Sequence, residues 1–140
     1  MKTAAFSTYT GPGRVSIARF APQRTPAGYR QFKAFAPGSW FNSVEVDRYV
    51  ELFATEILKP LVPADVWKAL HELVPAGVEP VLLCWETVEK RQEDPTVFCH
   101  RALCAAWLEE HLGERVPELG YEGAERHPLL PTNRAREARP

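Results

Sequence analysis

Four consecutive apolar residues, Val81-Leu82-Leu83-Cys84, stand between Pro80 and a polar stretch. A short apolar run without alternation puts greasy side chains on both faces of a strand, so both faces have to be covered. Such a strand belongs in the middle of a sheet. The rest of the chain is therefore read for elements that can flank it.

Two strands are expected before it. "TAAFSTY", residues 3 to 9, is rich in alanine, β-branched and aromatic residues, and "TGPG" then breaks it. "RVSIARF", residues 14 to 20, sets Val15 and Ile17 on one face and Ser16, Ala18 and Phe20 on the other. "APQRTPAG" reads as a loop, and "YRQFKAFAPGSW" as at most one helical turn. Helices follow. One is capped by Asn42 or Ser43, carries Val46, Tyr49, Val50, Phe53 and Ile57 at helical spacing, and stops at Pro60. A second opens at Pro63 and aligns Val66, Trp67, Leu70 and Leu73. After the apolar strand, "TVEKRQEDPT" reads as a polar loop, and a last helix is predicted from Thr96 to Leu112, stopped by Gly113. "ERVPEL" suits a short edge strand. From Gly120 the chain is polar and rich in Arg and Pro, a loosely held tail. The order predicts a small single-domain α/β sandwich over residues 1–119, with a mostly parallel central sheet flanked by helices, and a tail over 120–140.

Composition narrows the functional classes. The chain has 140 residues, enough for one domain with a real core. No apolar run approaches the roughly 20 residues of a membrane span, so no membrane partner is expected. The opening "MKTAAFSTYTGPGR" lacks the apolar stretch of a secretory signal, so an intracellular, cytoplasmic protein is expected. Three cysteines are an odd number, which rules out a complete disulfide framework.

Net charge is −1, but its distribution is uneven. Residues 1–44 hold no acid and six bases: Lys2, Arg14, Arg19, Arg24, Arg30 and Lys33. The remainder holds 11 bases against 18 acids. Eight of the fifteen aromatic residues share the basic stretch. Bases interleaved with rings suit a polyanion, and equally suit a core with a solvated rim.

The chemistry concentrates around the central strand. Ligands gather at the carboxyl ends of parallel strands, near the following helix N-termini. Cys84 lies at such an end and Glu86 at its rim. Cys99, His100 and Arg101 fall near the predicted start of the last helix, where backbone N–H groups favour an anion and lower a thiol's pKa. Cys104, well inside that helix, reads as a core thiol. His100 also fits an apolar stripe with Leu103, Cys104, Trp107, Leu108 and His111. Three chemistries compete. Zinc wants four donors, and Cys84, Cys99 and His100 give three with no C-x-x-C pair, so no metal or cofactor is expected. A phosphatase-type loop needs an arginine six residues after the cysteine, where Ala105 stands. A redox pair of Cys84 and Cys99 requires Cα atoms within about 7 Å. "YTGPGR" lacks the lysine and serine of a phosphate-binding loop.

"LLCWE" followed by "FCHRALCAAWL" resembles the bacterial domain of unknown function 488 family. That family has a strand reading Cys-x-Glu, a loop, and a helix opening with Cys-His-Arg. The matching residues are Cys84, Glu86, Cys99, His100 and Arg101. Members also show Asp-Val-Arg-x-x-Pro after the second strand; "IARFAP" keeps Arg19 and Pro22 and has Ile17 in place of the acid. The likeness is specific over residues 80 to 113 and loose over 3 to 22. It implies an α/β fold with a shared pocket, and no activity.

The expected function is a pocket that binds a small anionic ligand, phosphate- or nucleotide-like, with or without catalysis. Arg101 and Arg19 would hold the anion, Cys99 would be the nucleophile, and His100 the acid–base group. Cys84, Glu86, Thr8 and Tyr9 would line the pocket. The alternative is a non-catalytic nucleic-acid-binding protein using the basic, aromatic N-terminal third. The oligomeric state is not legible in the sequence.

Overall fold

The computed structural model describes residues 1–20, 22 and 29–131. Four parallel strands form one sheet: β1 Lys2–Ala5, β2 Arg14–Ser16, β3 Arg30–Gln31 and β4 Val81–Cys84, in the order β1-β4-β2-β3. The apolar run thus becomes β4, hydrogen-bonded on both sides. Lys2 pairs with Val81 and Ala5 with Cys84, while Val15 lies opposite Leu82. All four residues of β4 are buried. The strands predicted over 3 to 9 and 14 to 20 are shorter. Past Ala5 the Thr8 hydroxyl caps the turn, bonding the Ala5 carbonyl at 3.1 Å. Past Ser16 pairing with β4 ends after the Ile17 N–H meets Leu83 O at 3.1 Å.

The connection into β2 needs Gly13. Its φ is +83°, and a Cβ there would stand 2.1 Å from the Glu79 carbonyl. The Gly13 carbonyl in turn accepts from Val81 N–H at 2.8 Å, fixing the start of β4 against β2. A side chain at position 13 would break both the turn and this approach.

Among the described residues, four α-helices pack on one face of the sheet: α1 Val46–Leu52, α2 Pro63–Glu72, α3 Val88–Glu93 and α4 Arg101–Leu112. α1 continues through Phe53–Leu58 as a wider π-type turn, in which Lys59 N–H reaches Ala54 O. Tyr49, Val66, Leu70, Val88, Ala105 and Leu108 join Val15, Leu82 and Cys84 in the main core. The opposite face of β4, Val81 and Leu83, packs with Ala4, Phe6, Tyr9, Ala18 and Leu119. β4 is covered on both sides, by helices on one and by connecting segments on the other.

Three local expectations are corrected. Residues 88 to 93 are helical, with the Thr87 hydroxyl accepting from Lys90 N–H at 3.2 Å. The polarity of this stretch conceals the cap, because α3 is short and only Val88 is buried in it. α4 starts at Arg101, five residues later than predicted. Asp94 holds Thr96 in a local turn (Thr96 Oγ1 to Asp94 Oδ1 2.7 Å), and Arg91 donates to Val97 O at 2.9 Å. The backbone groups that would start a helix at Thr96 are thereby diverted. "ERVPEL" gives one bridge, Thr3 to Glu118, rather than a strand. Pro117 has no N–H to extend the pairing.

The segment after Gly120 is not a loose tail as far as residue 131. Leu129 is fully buried, His127 is buried, and Arg91 donates to Leu130 O at 3.0 Å. Residues 132–140, Arg24 and most of the "APQRTPAG" loop lie outside the described residues. Among the described residues no helix is long and apolar enough to cross a membrane.

Leu82 is fully buried at the centre of this sheet. Leu82→Ala is expected to cost about 2–5 kcal/mol, read as a lowered urea midpoint with an unchanged slope.

Candidate functional site

β4 ends at Cys84, and the chain returns to the same place just before α4. Cys84 and Cys99 are joined there by a disulfide, with their Cα atoms 6.8 Å apart. The proximity that a redox pair requires is met. The sheet order explains why. β4 lies between β1 and β2, so the carboxyl end of β4 is surrounded, and α4 packs back over it.

His100 adjoins the pair and is buried. Its Nε2 stands 2.6 Å from the Ile17 carbonyl oxygen, which can only accept, so Nε2 carries the ring proton. Nδ1 then presents a lone pair, 3.3 Å from Cys84 Sγ and 3.9 Å from Cys99 Sγ. Burial pushes His100 down to about 4; the Ile17 carbonyl opposes this fall and the neighbouring Arg101 adds to it. The imidazole is therefore neutral at ordinary pH. The Phe53 ring covers it at 5.6 Å between centroids.

The three groups form the inner end of a cleft of ≈ 340 Å³. Arg19, Phe20, Phe41, Tyr49, Trp85, Glu86 and Phe98 are among its walls. Phe20 and Trp85 stand at the rim, 64% and 50% exposed. Trp85 Nε1 donates to Phe20 O at 3.0 Å and ties the two together. The Arg19 guanidinium carbon lies 5.5 Å from the Phe20 ring centroid and 5.8 Å from that of Phe41, and its Nη1 donates to Pro37 O at 3.1 Å. Among the described residues, the cleft thus offers one guanidinium, several rings and two sulfurs.

Not every residue expected here is present. Arg101 is fully buried and does not line the cleft. Its Nε and Nη2 donate to the Glu118 carboxylate at 2.8 and 2.7 Å, and its Nη1 to the Glu86 carbonyl at 2.6 Å. The guanidinium is spent on structure, so the expectation that it holds a ligand anion is corrected. Thr8 and Tyr9 also lie elsewhere. β1 is the outer strand on the far side of β4, and the Tyr9 hydroxyl turns back to Pro12 O. Glu86 lines the cleft as expected, and so does Arg19. Cys99 is bonded to Cys84 rather than free, and it is Cys84 that lies nearer the imidazole. Cys104 is buried in the core with a free thiol whose pKa burial raises.

Glu118, Ile17 and the aromatic walls escaped the sequence reading. Glu118 lies 17 residues from Arg101 on an irregular segment. Ile17 acts through its backbone carbonyl, which no side-chain pattern reports. The rings of the basic N-terminal third serve packing more than display. Phe6 and Phe35 are buried, while Tyr9, Tyr29, Phe32, Trp40 and Phe41 are half-buried. They do not make an exposed stacking platform among the described residues.

Arg101, Glu118, Thr3 and His127 form one buried network. His127 Nδ1 accepts from Leu129 N–H at 3.2 Å, so Nε2 donates to Thr3 Oγ1 at 2.7 Å, and Thr3 Oγ1 donates to Glu118 at 2.7 Å. Burial alone would raise the Glu118 pKa, but Arg101, His127 and Thr3 outweigh it and hold the carboxyl at about 2. Its ordinary value is 4.5, so its stabilisation is complete above pH 4.5 and is lost as the pH falls toward 2.

Two stability predictions follow from these contacts. Arg101→Met leaves the buried Glu118 carboxylate without its guanidinium, held only by Thr3 and His127. It is expected to cost about 3–5 kcal/mol at neutral pH and to flatten the acid limb, compared by urea titration at about pH 7 and about pH 3. The second concerns the bridge. Without reductant, the denatured chain should show one reactive thiol, Cys104, and after reduction all three. The bridge closes a separation of 15 residues, so its reduction should lower stability by about 3 kcal/mol.

Comparisons of the chain with protein families, with curated proteins and with solved structures find no match, so the site is read on its own geometry.

Proposed function

We propose that this chain carries out thiol–disulfide chemistry on a small ligand bearing an anionic group, held in the cleft between Arg19 and the aromatic walls. The observation that carries this reading is the Cys84–Cys99 bridge at the inner end of an open cleft of ≈ 340 Å³, beside a neutral imidazole. A bridge with only a structural task has no need of such a cleft. The volume lies in the range of small-molecule sites, and mostly apolar walls with few polar groups are their usual lining.

The division of labour follows from the distances. In the dithiol form, the Cys84 thiol faces the His100 Nδ1 lone pair, which takes its proton only in transit, as Cys84 attacks. Cys84 thiolate attacks one sulfur of a ligand disulfide, and the ligand's S–S bond breaks. The first ligand thiolate leaves and takes up the proton from His100. Cys99 then attacks the Cys84 sulfur of the mixed disulfide, the second ligand thiolate leaves, and the Cys99 thiol proton goes to it. Two cysteine thiols and one ligand disulfide become the Cys84–Cys99 bridge and two ligand thiols. The reverse sequence reduces the bridge. Cys84 replaces Cys99 as the attacking group because it is the one closer to the imidazole.

Arg19 supplies the charge recognition. One of its nitrogens holds Pro37 O and its plane is braced by Phe20 and Phe41, leaving further N–H groups to meet a carboxylate or phosphate. Arg101, being committed to Glu118, takes no part. The resemblance to the domain of unknown function 488 family is retained as part of this proposal, through Cys84, Glu86, Cys99, His100, Arg101 and Arg19. Arg101 would then serve to lock α4 in place rather than to bind.

The test is exchange with the glutathione couple, whose members carry carboxylates. The bridge is expected to equilibrate with it while near-ultraviolet circular dichroism stays native. Arg19→Ala should slow exchange with a carboxylate-bearing disulfide about tenfold relative to a neutral one. A bridge that reacts only once the protein unfolds would refute the reading.

A further inference from the structure

The dithiol form raises a second question about the same three groups. The Cys84 sulfur, the Cys99 sulfur and His100 Nδ1 all lie within 4.8 Å of one another. We infer that the reduced protein binds one zinc-class divalent ion through Cys84 Sγ, Cys99 Sγ and His100 Nδ1, with the fourth position open to the cleft. This rests on the reading that the bridge is reversibly reduced in the folded protein.

The geometry is close to what such an ion needs. Zinc holds sulfur at about 2.3 Å and nitrogen at about 2.0 Å, so tetrahedral bonding sets N···S edges near 3.5 Å and the S···S edge near 3.8 Å. The two N···S distances are already 3.3 and 3.9 Å. Only the sulfurs must part, and breaking the S–S bond releases them to do so. The imidazole is oriented in advance. The Ile17 carbonyl engages Nε2 at 2.6 Å and leaves Nδ1 as the ligand atom, which is the backing that metal-bound histidines use. Burial of all three residues supplies the dry surroundings in which thiolate–metal bonds compete well against water.

Two cysteines and one histidine without a fourth protein donor form an open site rather than a closed structural one. The open position would face Arg19 and the rings. A ligand's carboxylate or thiolate could reach the metal there. Metal and bridge exclude one another, because the same sulfur electrons make either. Two bound thiolates can give two electrons to hydrogen peroxide. The peroxide O–O bond breaks and with two protons yields two waters, the S–S bond forms, and the ion departs. The sequence offers the same three donors without a C-x-x-C pair or a fourth ligand, which is why no metal is expected from it; their convergence at one point is what the fold adds.

The test uses the full chain reduced with a phosphine, the excess removed, and titrated with cobalt(II) as the probe. One equivalent is expected to bind, with a strong near-ultraviolet sulfur-to-cobalt band and tetrahedral visible absorption, and zinc should displace it. The oxidised chain should show neither. Cys99→Ser removes one of the two sulfur donors and should lower the near-ultraviolet band by about half. Cys104→Ala should leave it intact. A reduced chain with three titratable thiols and a native circular dichroism spectrum, but no sulfur-to-cobalt band, would overturn the metal site and leave the thiol–disulfide reading standing. A bridge that cannot be reduced without loss of the fold would overturn both.

Discussion

Burial of β4 between β1 and β2 is the constraint on which the rest of the structure depends. Its residues are apolar on both faces, so they need two covers, and parallel pairing on both edges satisfies its backbone. The β3-to-β4 crossover carries α1 and α2 to the face containing Leu82 and Cys84, and α3 and α4, which follow β4, pack on the same face. The same pairing aligns the carboxyl ends of β2 and β4. That alignment brings the Ile17 carbonyl, Cys84 and the residues preceding α4 to one point. The site is a geometric consequence of how the strand is buried.

His100 and Arg101 are neighbours with opposite fates, and the difference is instructive. Both are buried and polar, and burial is costly for each unless it is partnered. Arg101 cannot shed its charge, so the fold supplies a carboxylate, Glu118, in two-pronged geometry. His100 can remain neutral, and one backbone carbonyl is enough for it. Its second nitrogen is thus left to face the sulfurs. The charged residue anchors α4 to the edge segment beyond β1, and the neutral one remains available for chemistry. A nitrogen lone pair at this depth is compatible with the fold because the resting imidazole carries no charge.

The bridge and the proposed metal are alternative ways of satisfying the same two sulfurs in a buried, mostly apolar setting. The first removes the thiols' polarity by a covalent bond, and the second neutralises two thiolates with a dication. Either way, the chemistry is presented to a cleft in which Arg19 is braced by Phe20 and Phe41. That combination is why the proposed ligand has one anionic end and a flat or apolar body. It does not need the dense positive field of a polyanion site, and the inward packing of the N-terminal rings agrees with this.

The sequence by itself determined the α/β class, the central position of β4 and the neighbourhood of Cys84, Glu86, Cys99 and His100. These are legible because they rest on local patterns: an unalternated apolar run, helical periodicity, and reactive residues at a strand end. Tertiary structure decided the rest. It closed the Cys84–Cys99 bridge, gave Arg101 to Glu118, sent Thr8 and Tyr9 to the far side of β4, and packed residues 121–131 onto the domain. Each of these outcomes depends on which strand lies beside which, and on backbone carbonyls and distant side chains that meet only after the chain has crossed over. A pattern of neighbours along the chain encodes what a residue is able to do, but the partner that uses up that ability is fixed by the order of strands in space.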